Sequence, residues 1–186
     1  MSQATIAIPA ELALLEQRLE ALEQKADSPD ALSIVAFSGE LDRLLAAMVM
    51  ATGAAACGTK VSLFFTFWAT ACLKKNGRQS PDKPLVERCF GWMLPGGFQR
   101  PKLSQLNLAG LGRRLMAREM AKKNVPSLSE LFQLAQELDV DLHVCEMSMS
   151  LLGIRPEELI AYPGLRYSGV ATFLEQASRS QTTLFI

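Results

Sequence analysis

Residues 44–73 read LLAAMVMATGAAACGTKVSLFFTFWATACL, and Lys60 is the only charge among them. An apolar run of that length is long enough for a membrane span. Its internal punctuation argues otherwise. Gly53, Gly58 and Thr59 split it, and Lys60 falls near its centre, where burial in lipid is costly. The two halves also differ in kind. Leu44 to Cys57 is rich in alanine and methionine, as a buried helix would be, whereas Val61 to Phe67 is β-branched and aromatic, as a buried strand would be. We therefore read a helix followed by a strand in a soluble protein. Membrane association is the less favoured alternative.

The same alternation extends in both directions. Upstream, Leu32 to Phe37 is a short apolar strand, Ser38 and Gly39 make a turn, and Glu40 to Ala56 is a helix stopped by Gly58. Downstream, the strand Lys60 to Phe67 leads into a helix, Trp68 to Lys75, ended by Asn76 and Gly77. Arg78 to Ser104 is rich in proline and glycine and reads as a long loop, with a short strand near Phe90 to Leu94. Leu106 to Asn124 is an amphipathic helix with Leu108, Leu111, Leu115, Met116 and Met120 on its apolar side. Arg114, Arg118 and Lys122 lie opposite, as a solvated face or a dock for an acidic partner. Ser127 and Glu130 form a capping box for a helix over Leu128 to Leu138. Strands then fall at Asp141 to Cys145, around Leu165 to Tyr167, and at Thr183 to Ile186. Helices cover Met147 to Leu152 and Val170 to Ser178, and Pro156 opens one more turn through Leu159. Strands joined through helices must mostly pair in parallel. The expected fold is a three-layer α/β/α domain with a mainly parallel sheet of about five strands.

Residues 1–30 stand apart as a helix and linker, with residues 31–186 as the α/β domain. Ile8, Leu12, Leu15, Leu19, Leu22 and Ala26 alternate spacings of four and three, a heptad seam over Pro9 to Ala26. Asp27 to Asp30 break it. The seam serves either to pack the helix on its own domain or to build a homo-oligomer.

Composition narrows the function. Lysine plus arginine equals aspartate plus glutamate at 19 each, and a net charge of zero argues against a nucleic-acid partner. The four cysteines, Cys57, Cys72, Cys89 and Cys145, contain no CxxC pair, so neither a zinc ribbon nor a thioredoxin motif is present. No basic segment followed by an apolar core opens the chain. A cytoplasmic protein with free thiols is the expectation.

Ligands of open parallel sheets bind beyond the carboxyl ends of the strands. Three such ends are legible: Phe37-Ser38-Gly39, Phe67-Trp68 and Cys145-Glu146-Met147. Only the last offers a nucleophile. At a strand-to-helix junction, backbone amides and the positive helix end stabilise a thiolate, and Met147 and Ser148 would cradle an anion or a persulfide. Phe67 and Trp68 would line the wall. A small buried core cysteine is the bland alternative. His143, the only histidine, shares a strand face with Cys145 but lies too far along it for a direct bond, so it reads as structural. Cys57 and Cys72 read as core, and Cys89 as an exposed second thiol. Gly110-Leu111-Gly112 lacks the preceding strand and third glycine of a dinucleotide fingerprint.

Several segments carry a family resemblance. FSGELDRLLAA (Phe37 to Ala47), FFTFW (Phe64 to Trp68), PKLSQLNLAGLGRRLMAREMAKKNVPSLSEL (Pro101 to Leu131), VCEMSMSLLG (Val144 to Gly153) and YSGVATFL (Tyr167 to Leu174) together resemble the DsrE/DsrF-like sulfur-transfer family, in its branch with a long central insertion. The resemblance runs in order from Leu32 to the C-terminus. It implies a parallel α/β sheet, oligomers, and sulfane sulfur carried as a cysteine persulfide, in exchange with rhodanese-like and TusA-like partners. The family cysteine before MSM matches Cys145. Ser150 and Glu40 replace aspartates usual in that branch. No metal or organic cofactor is required for such a relay. The rivals from other classes are a flavin- or nucleotide-binding module at the same strand ends, and an oligomeric interaction protein with an inert Cys145.

Overall fold

The computed structural model describes residues 10–26, 30–75, 79–94, 96–97, 101–105 and 110–186. Strands β1 (Ala31–Ala36), β2 (Lys60–Phe65), β3 (Asp141–Cys145), β4 (Arg166–Ser168) and β5 (Thr182–Phe185) form one sheet in the order β4-β3-β2-β1-β5. Every neighbouring pair is parallel. Around them lie α1 (Ala10–Ala26), α2 (Leu41–Ala56), α3 (Trp68–Cys72), α4 (Leu85–Met93), α5 (Leu111–Lys122), α6 (Leu128–Glu137), α7 (Glu146–Leu152) and α8 (Val170–Ser178). The chain steps outward from β1 to β4, then returns across the sheet to place β5 beside β1. Right-handed crossovers put the helices of the outward run on one face and α8 of the return on the other.

The apolar run around Lys60 divides as its glycines demand. Helix α2 ends at Ala56, Gly58 turns the chain with φ 87°, and Lys60 opens β2 with its side chain exposed. Among the described residues no helix is long and apolar enough to cross a membrane.

The two faces of the sheet are unequal. Ile34, Ala36, Leu63, Phe65, Leu142 and Val144 alternate onto the face covered by α2 and α6, where they meet Leu44, Met48, Leu131 and Phe132. Side chains of this size contribute about 1.5–3 kcal/mol each when fully buried. The opposite face carries Val35, Phe64 and Cys145 near the strand ends, under Phe173 of α8. Farther back it turns polar, with Ser33, Ser62 and His143 buried.

Several expectations change. The long loop contains a helix, α4, and no strand at Phe90 to Leu94. Pro84 (φ −54°) occupies its N-cap, and Gly91 lies inside it against the end of the Gln79 side chain. Strand β2 stops at Phe65, since Phe67 turns the chain with φ 44°. Helix α3 ends at Cys72, and Lys74 makes an antiparallel bridge with Leu159. The capping box at Ser127 and Glu130 forms as read. Helix α5 buries none of its residues. Leu111, Leu115 and Met116 are exposed among the described residues. Cys57 is exposed rather than core, because α2 ends one residue before it and leaves it as the C-cap beside Gly58. On α1, Leu12, Leu15 and Leu19 are exposed. Ile8, Pro9, residues 27–29, 76–78 and 106–109 lie outside the described residues, as do the side chains of Leu22 and Ala26.

A buried ion pair ties the inserted segment to the body. Glu158, in the 3-10 turn Pro156–Glu158, accepts from Lys83 Nζ at 2.5 Å and from the amides of Ser80 (2.9 Å) and Arg155 (3.0 Å). The Glu158 carbonyl accepts from the Lys75 amide at 2.8 Å, and Lys74 Nζ donates to the carbonyls of Gly91 and Leu94. Burial pushes the Glu158 carboxyl up, but the Lys83 bond and the two amides outweigh it and hold it below its ordinary range. Its stabilising contribution is therefore complete above the unfolded carboxylate pKa and is lost as pH falls through the lower folded value. Breaking such a pair leaves Lys83 buried and uncompensated, at about 3–5 kcal/mol. Glu158→Gln should lower the urea midpoint at neutral pH accordingly, and the gap from wild type should narrow in acid. A midpoint equal to wild type at neutral pH would mean the pair contributes nothing.

Candidate functional site

Cys145 is both the last residue of β3 and the N-cap of α7, with φ −69° and ψ 113°. The strand passes into the helix without a loop. The amides of Met147 and Ser148, at the unpaired start of α7, therefore point back toward the sulfur. Ser148 is wholly buried. Its Oγ accepts from the Phe67 amide at 2.9 Å and lies 3.0 Å from Thr66 Oγ1. Thr66 follows β2 one step past the pair Phe65 and Val144, which brings it level with Cys145.

Four donors thus surround one thiol. Burial pushes the Cys145 pKa up. Hydrogen bonds from the hydroxyl and amide of Ser148, the hydroxyl of Thr66 and the amide of Met147 together outweigh it, and the thiol lies below its ordinary value. No charged group takes part. Cys72 is the internal comparison. Burial acts on it alone, and its thiol is pushed up to about 12.

Phe67 is held in a backbone conformation, φ 44° and ψ −122°, that a bulky residue rarely adopts. Strain of this kind costs about 1–3 kcal/mol and persists only where surroundings enforce it. Here the Ser148 hydroxyl holds its amide, and its ring packs on Phe37 with centroids 5.1 Å apart. The sulfur itself is covered. Cys145 has no exposed surface, and Phe64 and Phe173 stack beside it with centroids 4.6 Å apart.

The residues anticipated at the strand ends divide into two groups. Met147 and Ser148 join Cys145, as does the backbone of Phe67. Ser38, Gly39 and Trp68 form a neighbouring cluster. Ser38 Oγ donates to Glu40 Oε2 at 2.8 Å, and a Cβ on Gly39 would meet the Trp68 carbonyl at 2.7 Å, so only glycine fits there. The Trp68 side chain is exposed. The Phe37–Phe67 ring contact links the two clusters. His143 bonds Ser168, with Nδ1 2.7 Å from its Oγ. Cys89 is exposed, on α4. Thr66 was not anticipated. The period of two along β2 was its only signal, since Phe64 and Thr66 share a face, and it becomes informative only once the register with β3 is known. Among the described residues, no group of three histidine, cysteine or acidic side chains stands ready to hold a metal ion.

Comparison with known proteins bears on the same region. The profile of the DsrE/DsrF/DrsH-like family matches residues 28–185. The uncharacterized protein YrkE of Bacillus subtilis is 40% identical over 154 residues, covering 83% of this chain and 95% of its own. The sulfur carrier protein DsrE2 of Allochromatium vinosum is 32% identical over 161 residues, covering 83% of this chain and 97% of its own. The crystal structure of the ychN protein from E. coli superposes with a TM-score of 0.50 at 9% identity, over 85% of this chain and 99% of that one, a likeness of fold.

The donor set generates a test. Ser148→Ala removes one hydroxyl from the sulfur and frees the Phe67 amide, and Thr66→Val removes the second hydroxyl. Both should move the pH profile of iodoacetamide labelling at Cys145 to higher pH, Ser148→Ala further. Peptide mass spectrometry reads Cys145 separately, with buried Cys72 as the slow internal standard. A profile unmoved in both variants would show that the hydroxyls do not act on the thiol.

Proposed function

The chain belongs to the DsrE/DsrF/DrsH-like family, and from that premise we propose that it relays sulfane sulfur as a persulfide on Cys145. The donor-lined cradle at the β3–α7 junction is the observation that supports this assignment most directly. It favours the thiolate through hydrogen bonds from neutral donors.

The step balances simply. The Cys145 thiolate attacks the outer sulfur of a donor persulfide, R–S–SH. A new sulfur–sulfur bond forms, the donor's own bond breaks, and R–S⁻ leaves, with the proton staying on the transferred sulfur. An acceptor thiolate then attacks that outer sulfur and releases Cys145 as the thiolate. Exchange of this kind is governed by thiolate fraction and access. The amides of Met147 and Ser148, with the hydroxyls of Ser148 and Thr66, solvate the charge on whichever sulfur bears it. Ser38, Gly39, Phe67 and Trp68 border the approach. Access requires Phe173 to yield, and it is the only buried residue of α8. Protein donors and acceptors of the rhodanese-like and TusA-like kinds suit a covered thiol, because a docking partner can displace α8. A reducing cytoplasm suits an unpaired thiol.

Intact-mass spectrometry after incubation with a sulfane donor should show one added sulfur on wild-type protein. The same addition should be absent from Cys145→Ser and retained in Cys89→Ser. A Cys145→Ser variant that still relays sulfur at the wild-type rate would move the chemistry to Cys89 or to another function altogether.

The protein works, in this proposal, as a homo-oligomer built partly through α1, whose Leu12, Leu15 and Leu19 are exposed. Removing residues 1–28 should lower the mass seen by light scattering at low micromolar concentration, while far-UV circular dichroism keeps the α/β signature. An unchanged mass would leave α1 outside the interface.

A further inference from the structure

The polar half of the second sheet face does not lie bare. Between it and the C-terminal half of α8 is a cavity of about 870 Å3, lined by residues of β1, β2, β3, β4 and α8. Two residues of its wall stand out. His143 is 3% exposed. Its Nδ1 is engaged by Ser168, and its buried Nε2 meets no partner. Ser62 is 5% exposed, and its Oγ meets none either. Buried side-chain atoms without a partner are rare in folded proteins, and each requires an explanation. Among the described residues there are four, and two of them line this one cavity.

The charges at the rim suggest what they await. Arg166 is paired with Asp141 at 3.1 Å and Arg179 with Glu175 at 2.7 Å. Lys60, at the start of β2, also lines the cavity and makes no ion pair among the described residues. One positive charge is therefore left over. Burial keeps His143 below its ordinary pKa, with Asp141 raising it and Arg166 lowering it. The ring thus contributes a hydrogen bond and not a charge. When the Ser168 hydroxyl donates to Nδ1, the Nε2–H of the neutral ring becomes a donor into the cavity.

We propose that this cavity binds a small oxyanion, free or as the headgroup of a small metabolite. Nε2–H of His143 and the hydroxyl of Ser62 meet its oxygens, and the Lys60 ammonium balances its charge. The volume exceeds that of a bare ion and lies within the range of small-molecule sites. Cys145 does not line it, and the Phe64–Phe173 stack lies beside that sulfur. The anion and the relayed sulfur therefore occupy separate places beneath α8. The leucine seam of α1 is the wrong occupant, because it would leave both polar atoms unpartnered.

His143 is the only histidine in the chain, so its ring resonances identify themselves. The full-length protein is titrated with inorganic phosphate and with glycerol phosphate, at ionic strength held constant with potassium chloride. The expected result is a saturable shift of the His143 ring signals with at least one probe, unchanged in Cys145→Ser. Lys60→Gln and Ser62→Ala should each weaken binding by about tenfold, the loss of one charge-assisted contact. Tighter binding of the ester places an organic part in the rest of the cavity, and equal binding indicates the free ion. The absence of a saturable shift with either probe, or equal affinity in wild type and both variants, overturns the proposal. Ring signals that move with protein concentration in the absence of probe, and do not respond to probe, would assign this face to a second copy of the chain and also overturn it.

Discussion

The hydroxyl of Ser148 joins the ends of β2 and β3. It belongs to the first turn of α7, directly after β3, yet it receives the amide of Phe67 from the end of β2 and touches the hydroxyl of Thr66. Buried amides demand partners, and Phe67 sits in a strained conformation that a free chain would leave. The hydrogen bond from its N–H to Ser148 Oγ fixes where β2 stops, which sets the path into α3 and the position of the Phe37–Phe67 contact. The same hydroxyl faces Cys145. One side chain thus aligns two strand ends and supplies a donor to the thiol.

Cys72 and Cys145 separate what burial does from what hydrogen bonding does. Both are buried. At Cys72, burial acts alone and pushes the thiol up to about 12. At Cys145 burial also pushes the thiol up, but four donors outweigh it. Backbone amides at a strand-to-helix junction cannot be withdrawn without unfolding the helix, so two of the four come with the fold itself. The two hydroxyls refine it. A site tuned by neutral dipoles, with no adjacent cation, depends little on salt, because there is no long-range charge to screen.

The unequal faces of the sheet follow from its topology. A sheet whose outward run places its helices on one face acquires a deep apolar core there. The single return crossover leaves the other face to α8, which buries only Phe173. That face is where Cys145, His143, Ser62 and Ser33 point. Chemistry and polar cavities gather on the side that the chain covers least, where one short helix can move without disrupting the main core.

Much of this was legible in the chain. The glycines and Lys60 that divide residues 44–73, the alternation of β-branched strands with helices, and the capping box at Ser127 each act through local geometry, and the parallel sheet followed from them. Cys145 at a strand-to-helix junction was legible for the same reason, as were the amides of Met147 and Ser148. Helix α4 was hidden by Pro84 and Gly91, which punctuate the segment as a loop would although the chain between them is helical. The strand Lys60 to Phe67 was read two residues too long, because the tie that ends it comes from Ser148 in another element. Thr66, the Phe173 cover and the pairing of Glu158 with Lys83 belong to the same class. Each joins residues far apart in sequence, through register or return crossover. Local periodicity determined the elements of this protein and the position of its thiol. Which side chains surround that thiol was decided only when strands packed side by side, since a residue's neighbours across a sheet leave no trace in its neighbours along the chain.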